Sequence, residues 1–502
     1  MLATEPVVAQ AAQGGLGEPL SAIDWLSDSV SLPTPVTIAP LVAPPAAPVP
    51  PVTVVPLGTP VPDDAGLVSA QELGLPKALW GGSSARVLAQ ALLSIPDVST
   101  PSLRAYLASL VQAELTPPVD AVIDDSLFLA RLDTLLALAR LDDAEALIRA
   151  AGPPEPKRFR RSFDIALLKG TEGGACDVIA NNPDISPTFP ARIFCLARNG
   201  EWEVAALALG TAEALGMLSR TEDQLLLHFL DPELFEGEPL LPRPPSISPL
   251  LFRLYEAIGE RPATDRLPIA FAVADLSETV GWRVRLRAAE RLTQAGALSP
   301  ETFLEIVSNR KPSASGGIWN RVAAVQTLRS AVASQDAAAI SRALPAAWDA
   351  ANSEGYHAAL APWLATAIQS VKLERRAHHT AFEIALFSND LDMARQYAGT
   401  SQDDQTLLAI LTNTPFEIRN AAPLAIAVRR SLSGLAPSQS YRVLLDDNRK
   451  GEALLKAIAV LADGVEADPS AIADALSLLK SLGLDTLVRR TAAELLLEES
   501  QI

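Results

Sequence analysis

The chain has 502 residues, of which 49% are hydrophobic, 5% aromatic and 20% charged, with 40 prolines and a formal charge of −18. That length holds roughly two to four globular domains or one long array. The acidity argues against a nucleic-acid or anionic-membrane binder, since both need clustered Lys and Arg.

Proline and charge are concentrated at the start. Eleven prolines fall between Pro33 and Pro62, and residues 1–76 contain seven acids but no Lys or Arg. Residues 1–76 are therefore expected to form a disordered acidic arm in which the Pro-rich stretch, 33–62, acts as a semi-rigid spacer. At about 3 Å per residue, 29–62 would reach on the order of 100 Å. Within the arm, at 19–30, Leu20, Ile23, Leu26 and Val30 recur at helical spacing beside Trp25. A segment this short does not hold a helix alone in water. It is a candidate for folding into a groove, either a partner's or one on the protein's own body.

The first residues, MLATEPVVAQAAQGG, have neither a basic n-region nor an unbroken apolar h-region and do not read as a signal peptide. No stretch reads as a membrane span. Taken literally, this describes a soluble cytoplasmic chain. The Ala/Pro/Val arm nonetheless has the composition of an envelope-crossing spacer, and the expectation is that an export signal precedes Met1 in the complete protein.

Beyond Pro76 the sequence is rich in Ala and Leu at helical periodicity, with few strand signals. Ser83 and Ser84 precede ARVLAQALL as a capped helix start. Paired helices are predicted over 124–139 with 142–151, and over 189–198 with 201–215. The Pro-rich stretch 236–249 reads as a linker between a first helical part, 77–235, and a second, 250–400. A Ser/Gly loop at 311–317 interrupts the second part. A C-terminal helical part, 401–502, carries helices over 451–462, 470–482 and 486–499. The fold class predicted is all-α.

Two cysteines, Cys176 and Cys195, fall on either side of the connection NPDISPT. In an antiparallel helix pair they lie at similar distances from the turn. They are candidates for a disulfide, which requires an oxidising compartment, or for two small buried hydrophobes. The cluster Lys157, Arg158, Arg160 and Arg161, following AGPPEP, is a candidate docking patch for an acidic partner or for the arm. The alternative is a solvated helix entrance.

Four junctions pair a turn residue with an alanine five positions later: Leu141/Ala146, Gly200/Ala205, Ser334/Ala339 and Asn389/Ala394. They resemble tetratricopeptide-type (TPR) hairpins, in which that alanine sits where the second helix crosses the first. The spacing is irregular and the family's full aromatic and proline pattern is missing, so the resemblance implies a degenerate α-solenoid. With FPARIFCLARNGEWEVAAL, RLRAAERLTQAGAL and the arm, the chain also looks like a group of uncharacterised exported helical proteins of alphaproteobacteria. That resemblance implies a periplasmic location and carries over no activity.

Catalytic motifs are missing. The sequence contains no G-x-x-x-x-G-K-[ST] loop, no G-x-S-x-G elbow and no H-E-x-x-H helix. Its four histidines, His228, His357, His378 and His379, lack ligand spacing. Glu233 and Glu236 fall in a turn-rich region that suits solvation or capping better than acid–base work. No cofactor, metal or catalytic residue is predicted. The function expected is that of a non-enzymatic envelope scaffold binding protein partners. The alternatives are an accessory factor or enzyme in cell-wall glycan metabolism, and a cytoplasmic adaptor.

Overall fold

The structure, a computed structural model, describes residues 61–95, 97–237, 241–415 and 422–499. The candidate motif at Leu20, Ile23, Trp25, Leu26 and Val30 lies outside them. The described residues form an all-α protein of twenty-three α-helices. One pair of two-residue parallel strands, Val68–Ser69 and Ala113–Glu114, completes them.

Local chemistry places most helix ends. Ser84 caps Ala85–Leu93 by accepting from the Val87 N–H at 3.3 Å. Ser219 and Glu222 form a reciprocal capping box on Arg220–Leu230. Pro at the first turn starts Pro101–Val111, Pro156–Lys169, Pro249–Ala257 and Pro469–Ser481.

The helical hairpins share one turn. Ala139, Gly200, Gln335 and Asn389 are left-handed, with φ of 57°, 85°, 54° and 59°. The next residue's N–H bonds back to the preceding helix: Arg140 to Leu135 at 2.8 Å, Glu201 to Leu196 at 2.9 Å, Asp336 to Ala331 at 3.3 Å and Asp390 to Ala385 at 2.9 Å. This is the Schellman pattern, which satisfies the last carbonyls of a helix. Five residues past the left-handed position stand Ala144, Ala205, Ile340 and Ala394, all buried. Two junctions are therefore corrected in register. The turn residue is Ala139 rather than Leu141, with Ala144 at the crossing, and Gln335 rather than Ser334, with Ile340 at the crossing; Ala146 and Ala339 are only half-buried.

The helices do not form an open array in which each hairpin touches only its neighbours. Ala85–Leu93 packs on Lys450–Ala462, and Pro101–Val111 packs on Asp485–Glu499, so the two ends of the described chain meet. Backbone bonds hold the seam: Gly451 N–H to Leu79 O at 3.0 Å, Gly82 N–H to Asn448 O at 3.1 Å and Ser99 N–H to Ala462 O at 3.3 Å. Glu494 of the last helix accepts from the Ser102 N–H at 2.9 Å and the Ser102 hydroxyl at 2.7 Å. It thereby caps an N-terminal helix with a C-terminal carboxylate. A Cβ on Gly451 would overlap the Trp80 ring, so glycine is what allows the closest approach at this seam.

Closure also redraws the domain boundaries. One hydrophobic core draws on residues from Ala70 to Leu497, and a smaller one spans Phe159 to Tyr255. Divisions at 235/250 and 400/401 do not separate cores. The described part of the supposed linker is docked rather than free: Ile247 is buried, and Tyr255 donates to Pro242 O at 3.0 Å. The arm's boundary at Pro76 is likewise too late. Residues 61–76 pack on the body, with Asp63, Ala70 and Leu75 buried. Arg131 donates to Asp63 O, Ala65 O, Val111 O and Ala113 O at 2.7–3.1 Å.

Candidate functional site

Cys176 and Cys195 lie on Glu172–Asn181 and Phe189–Arg198, two helices joined across 182–188. Their Cα atoms are 4.9 Å apart and the sulfurs are joined as a disulfide. The bond is buried in the smaller core beside Phe194, which stacks on Phe229 at 5.7 Å. Trp202 leans on the same Phe229 ring at 5.8 Å.

That braced hairpin carries the following helix, Trp202–Ala214. Ala205, Leu209 and Ala212 point into the core. The opposite face is also apolar: Val204 is 48% exposed, Leu207 73% and Leu215 66%. Val204, Leu207, Thr211 and Leu215 follow one another at i, i+3, i+7 and i+11, which places them in one stripe. A helix with a second apolar stripe beside its core face has a surface left for a partner to cover. The rim is acidic, with Glu201, Glu203 and Glu213 exposed around it.

The basic cluster does not form a surface patch. Arg158, Arg160 and Arg161 are 4%, 7% and 3% exposed. Arg161 makes a two-pronged pair with Asp133, itself fully buried, at 2.5 and 2.7 Å. Arg158 donates to Ala151 O at 2.8 Å and pairs with Glu155 at 3.0 Å. Only Lys157 is exposed, and it pairs with Asp125 at 3.0 Å. These cations brace Pro156–Lys169 against the preceding hairpin, a role that neither docking nor simple solvation describes.

A cleft of about 1050 Å³ opens between Trp282–Gln294 and the start of Ile318–Ala333. The helix WRVRLRAAERLTQ turns Arg283, Arg287 and Arg291 toward it at i, i+4 and i+8. Most of its charges are already paired. Glu290 holds Arg321 at 2.7 and 2.8 Å, Arg321 reaches Glu354 at 2.8 Å, and Arg261 meets Asp275 at 2.8 Å. Burial raises the Glu290 and Asp275 carboxyls above the usual range, and their arginine partners offset part of that rise. The lining holds no His or Cys; its hydroxyl–carboxylate contact is Thr264, which donates to Asp275.

The remaining candidates stay apart. His357 is half-buried against Trp348 and Phe387, and its loss of solvent holds its pKa down at about 4. His378 packs on Tyr397 at 5.3 Å, while His379 is exposed. Glu233 and Glu236 are exposed. Among the described residues no group of three or more His, Cys, Asp or Glu is placed to hold a metal, and no helix is long and apolar enough to cross a membrane.

No family model, curated protein or solved structure matches the chain. The class that the fold defines is a closed all-α helical-hairpin protein.

Proposed function

We propose that the protein is a non-enzymatic scaffold that binds another protein through the outer face of Trp202–Ala214 in an oxidising, extracytoplasmic compartment. The observation that carries this is an apolar stripe on a helix whose other face is already committed to the core. Burying Val204, Leu207 and Leu215 against a partner supplies about 1.5–3 kcal/mol for each fully covered side chain. The acidic rim favours a partner helix with basic flanks. It disfavours residues 19–30 of the same chain, which stand in a stretch with seven acids and no Lys or Arg. The disulfide supports that compartment, since such bonds persist where thiols are not kept reduced.

A photo-crosslinker at Leu207 in the producing cell tests the reading. Crosslinking to one protein, at an amphipathic segment with Lys or Arg flanks, and loss of that product in Val204→Asp support it. Crosslinks to residues 19–30, to a second copy, or to nothing overturn it. Complete alkylation of Cys176 and Cys195 in protein taken directly from cells overturns the compartment.

A further inference from the structure

Where the two ends of the chain meet, two adjoining hollows of about 180 and 240 Å³ share Pro101, Arg104, Gln294 and Gly355 in their walls. The walls come from distant stretches, among them the start of Pro101–Val111, the turn at Leu138 and Arg140, the ends of Trp282–Gln294 and His357–Ile368, and the last helix, Asp485–Glu499. Four buried polar atoms on these walls have no hydrogen-bond partner: Thr100 Oγ1, Thr293 Oγ1, His357 Nδ1 and Arg490 Nε. Thr100 is 2% exposed and Thr293 is fully buried. Native interiors leave few such groups unpaired, and a cluster of them calls for an occupant.

The Arg490 Nε–H only donates and the threonine hydroxyls are able to donate, while neutral His357 Nδ1 donates or accepts according to its tautomer. Arg104, Arg140 and Glu494 are already engaged, and the Glu498 carboxylate stands on the wall of the larger hollow alone. Arg104 is spent on Gln294 O, Val98 O and Ser99 O. Arg140 is spent on Asp143 and Gly296 O, and Glu494 on Ser102. Thr100 stands at the N-cap of its helix, yet its hydroxyl makes no cap bond. The geometry points to a small oxyanion, a carboxylate or phosphate group, bound in the smaller hollow, whose wall holds Arg490 and Thr293 and no carboxylate. Such a group only accepts hydrogen bonds, which matches the vacant Arg490 and Thr293 donors better than water, whose donors equal its acceptors. The hollows, each several times the roughly 30 Å³ of one water, have room for it. Because the walls come from both ends and the middle of the chain, the anion binds only the closed molecule and stabilises it by mass action.

Thermal unfolding of the full chain in inorganic phosphate, acetate or chloride at matched ionic strength tests this. The expected result is a Tm that rises and saturates with phosphate or with acetate beyond any effect of chloride. The anion that saturates identifies the source. Thr293→Val, which replaces an unpaired hydroxyl by a group of the same shape, keeps the chloride Tm and weakens the saturation midpoint at least fivefold. Arg490→Met abolishes the response; should that variant not fold, Thr293→Val carries the comparison, with Thr100→Val in the other hollow as the control whose midpoint stays unchanged. A Tm that rises no more than in chloride, a rise without saturation, or an unchanged midpoint in Thr293→Val overturns the proposal.

Discussion

Asp63 is a carboxylate buried where the described chain begins. Burial lifts its pKa from 3.8 to about 6, only partly countered by Arg131. The folded state therefore holds this proton more tightly than the unfolded chain does. Stability tied to Asp63 is full below about pH 4, falls as pH rises to about 6, and then levels off, a total of about 2–3 kcal/mol. Urea midpoints from pH 4 to 8 should show this fall, and Asp63→Asn should flatten it. Ala139 is a second residue with a cost of its own. It holds a left-handed turn without glycine's freedom, which strains an L side chain by about 1–2 kcal/mol. Ala139→Gly should raise stability by about 1 kcal/mol in the same assay. At this scale the sequence misleads in a definite way. Arg158, Arg160 and Arg161 read as a surface patch because charge normally means solvent, yet Arg161's partner, Asp133, stands 28 residues earlier, where no local pattern points to it.

Single elements were far more legible. The segments Ala85–Leu93 and Phe189–Arg198 follow from a capping Ser84 and from Thr188 with Pro190. Gly200 and Asn389 announce their turns because those residue types tolerate the left-handed region. Ala139 and Gln335 carry no such signal, and at those two junctions the register slips. Pro101–Val111 is harder to read from the sequence, since it packs on the last helix, Asp485–Glu499, as well as on the next one, Ser126–Ala137. The disulfide is the element-scale brace for the exposed Trp202–Ala214 face. Replacing Cys176 and Cys195 by alanine should cost about 3 kcal/mol, as for any loop of this length. Hydrogen exchange should then show the loss in 172–214 and not at the seam where the chain ends meet.

At the scale of the whole molecule, closure decides behaviour. Glu494 serves an N-terminal helix from 392 residues away, a pairing that no periodicity reveals, and the boundaries read from proline content fail for the same reason. Removing a carboxylate that satisfies two buried donors costs about 2 kcal/mol or more. Glu494→Ala should lower protection in Pro101–Val111 and Asp485–Glu499 together, in one cooperative step, when followed by hydrogen exchange. Two separate transitions would mean that the ends fold independently.

The Arg131 guanidinium, finally, matters for how the body bears force. It rivets 63–65 to 111–113, and beside it Val68–Ser69 pairs with Ala113–Glu114. Tension applied to residues 1–60 arrives at this rivet before it reaches the seam between the chain ends. The junction would yield first as a mechanical fuse, paying out the short stretch up to Pro76 while the helical body behind it stays closed.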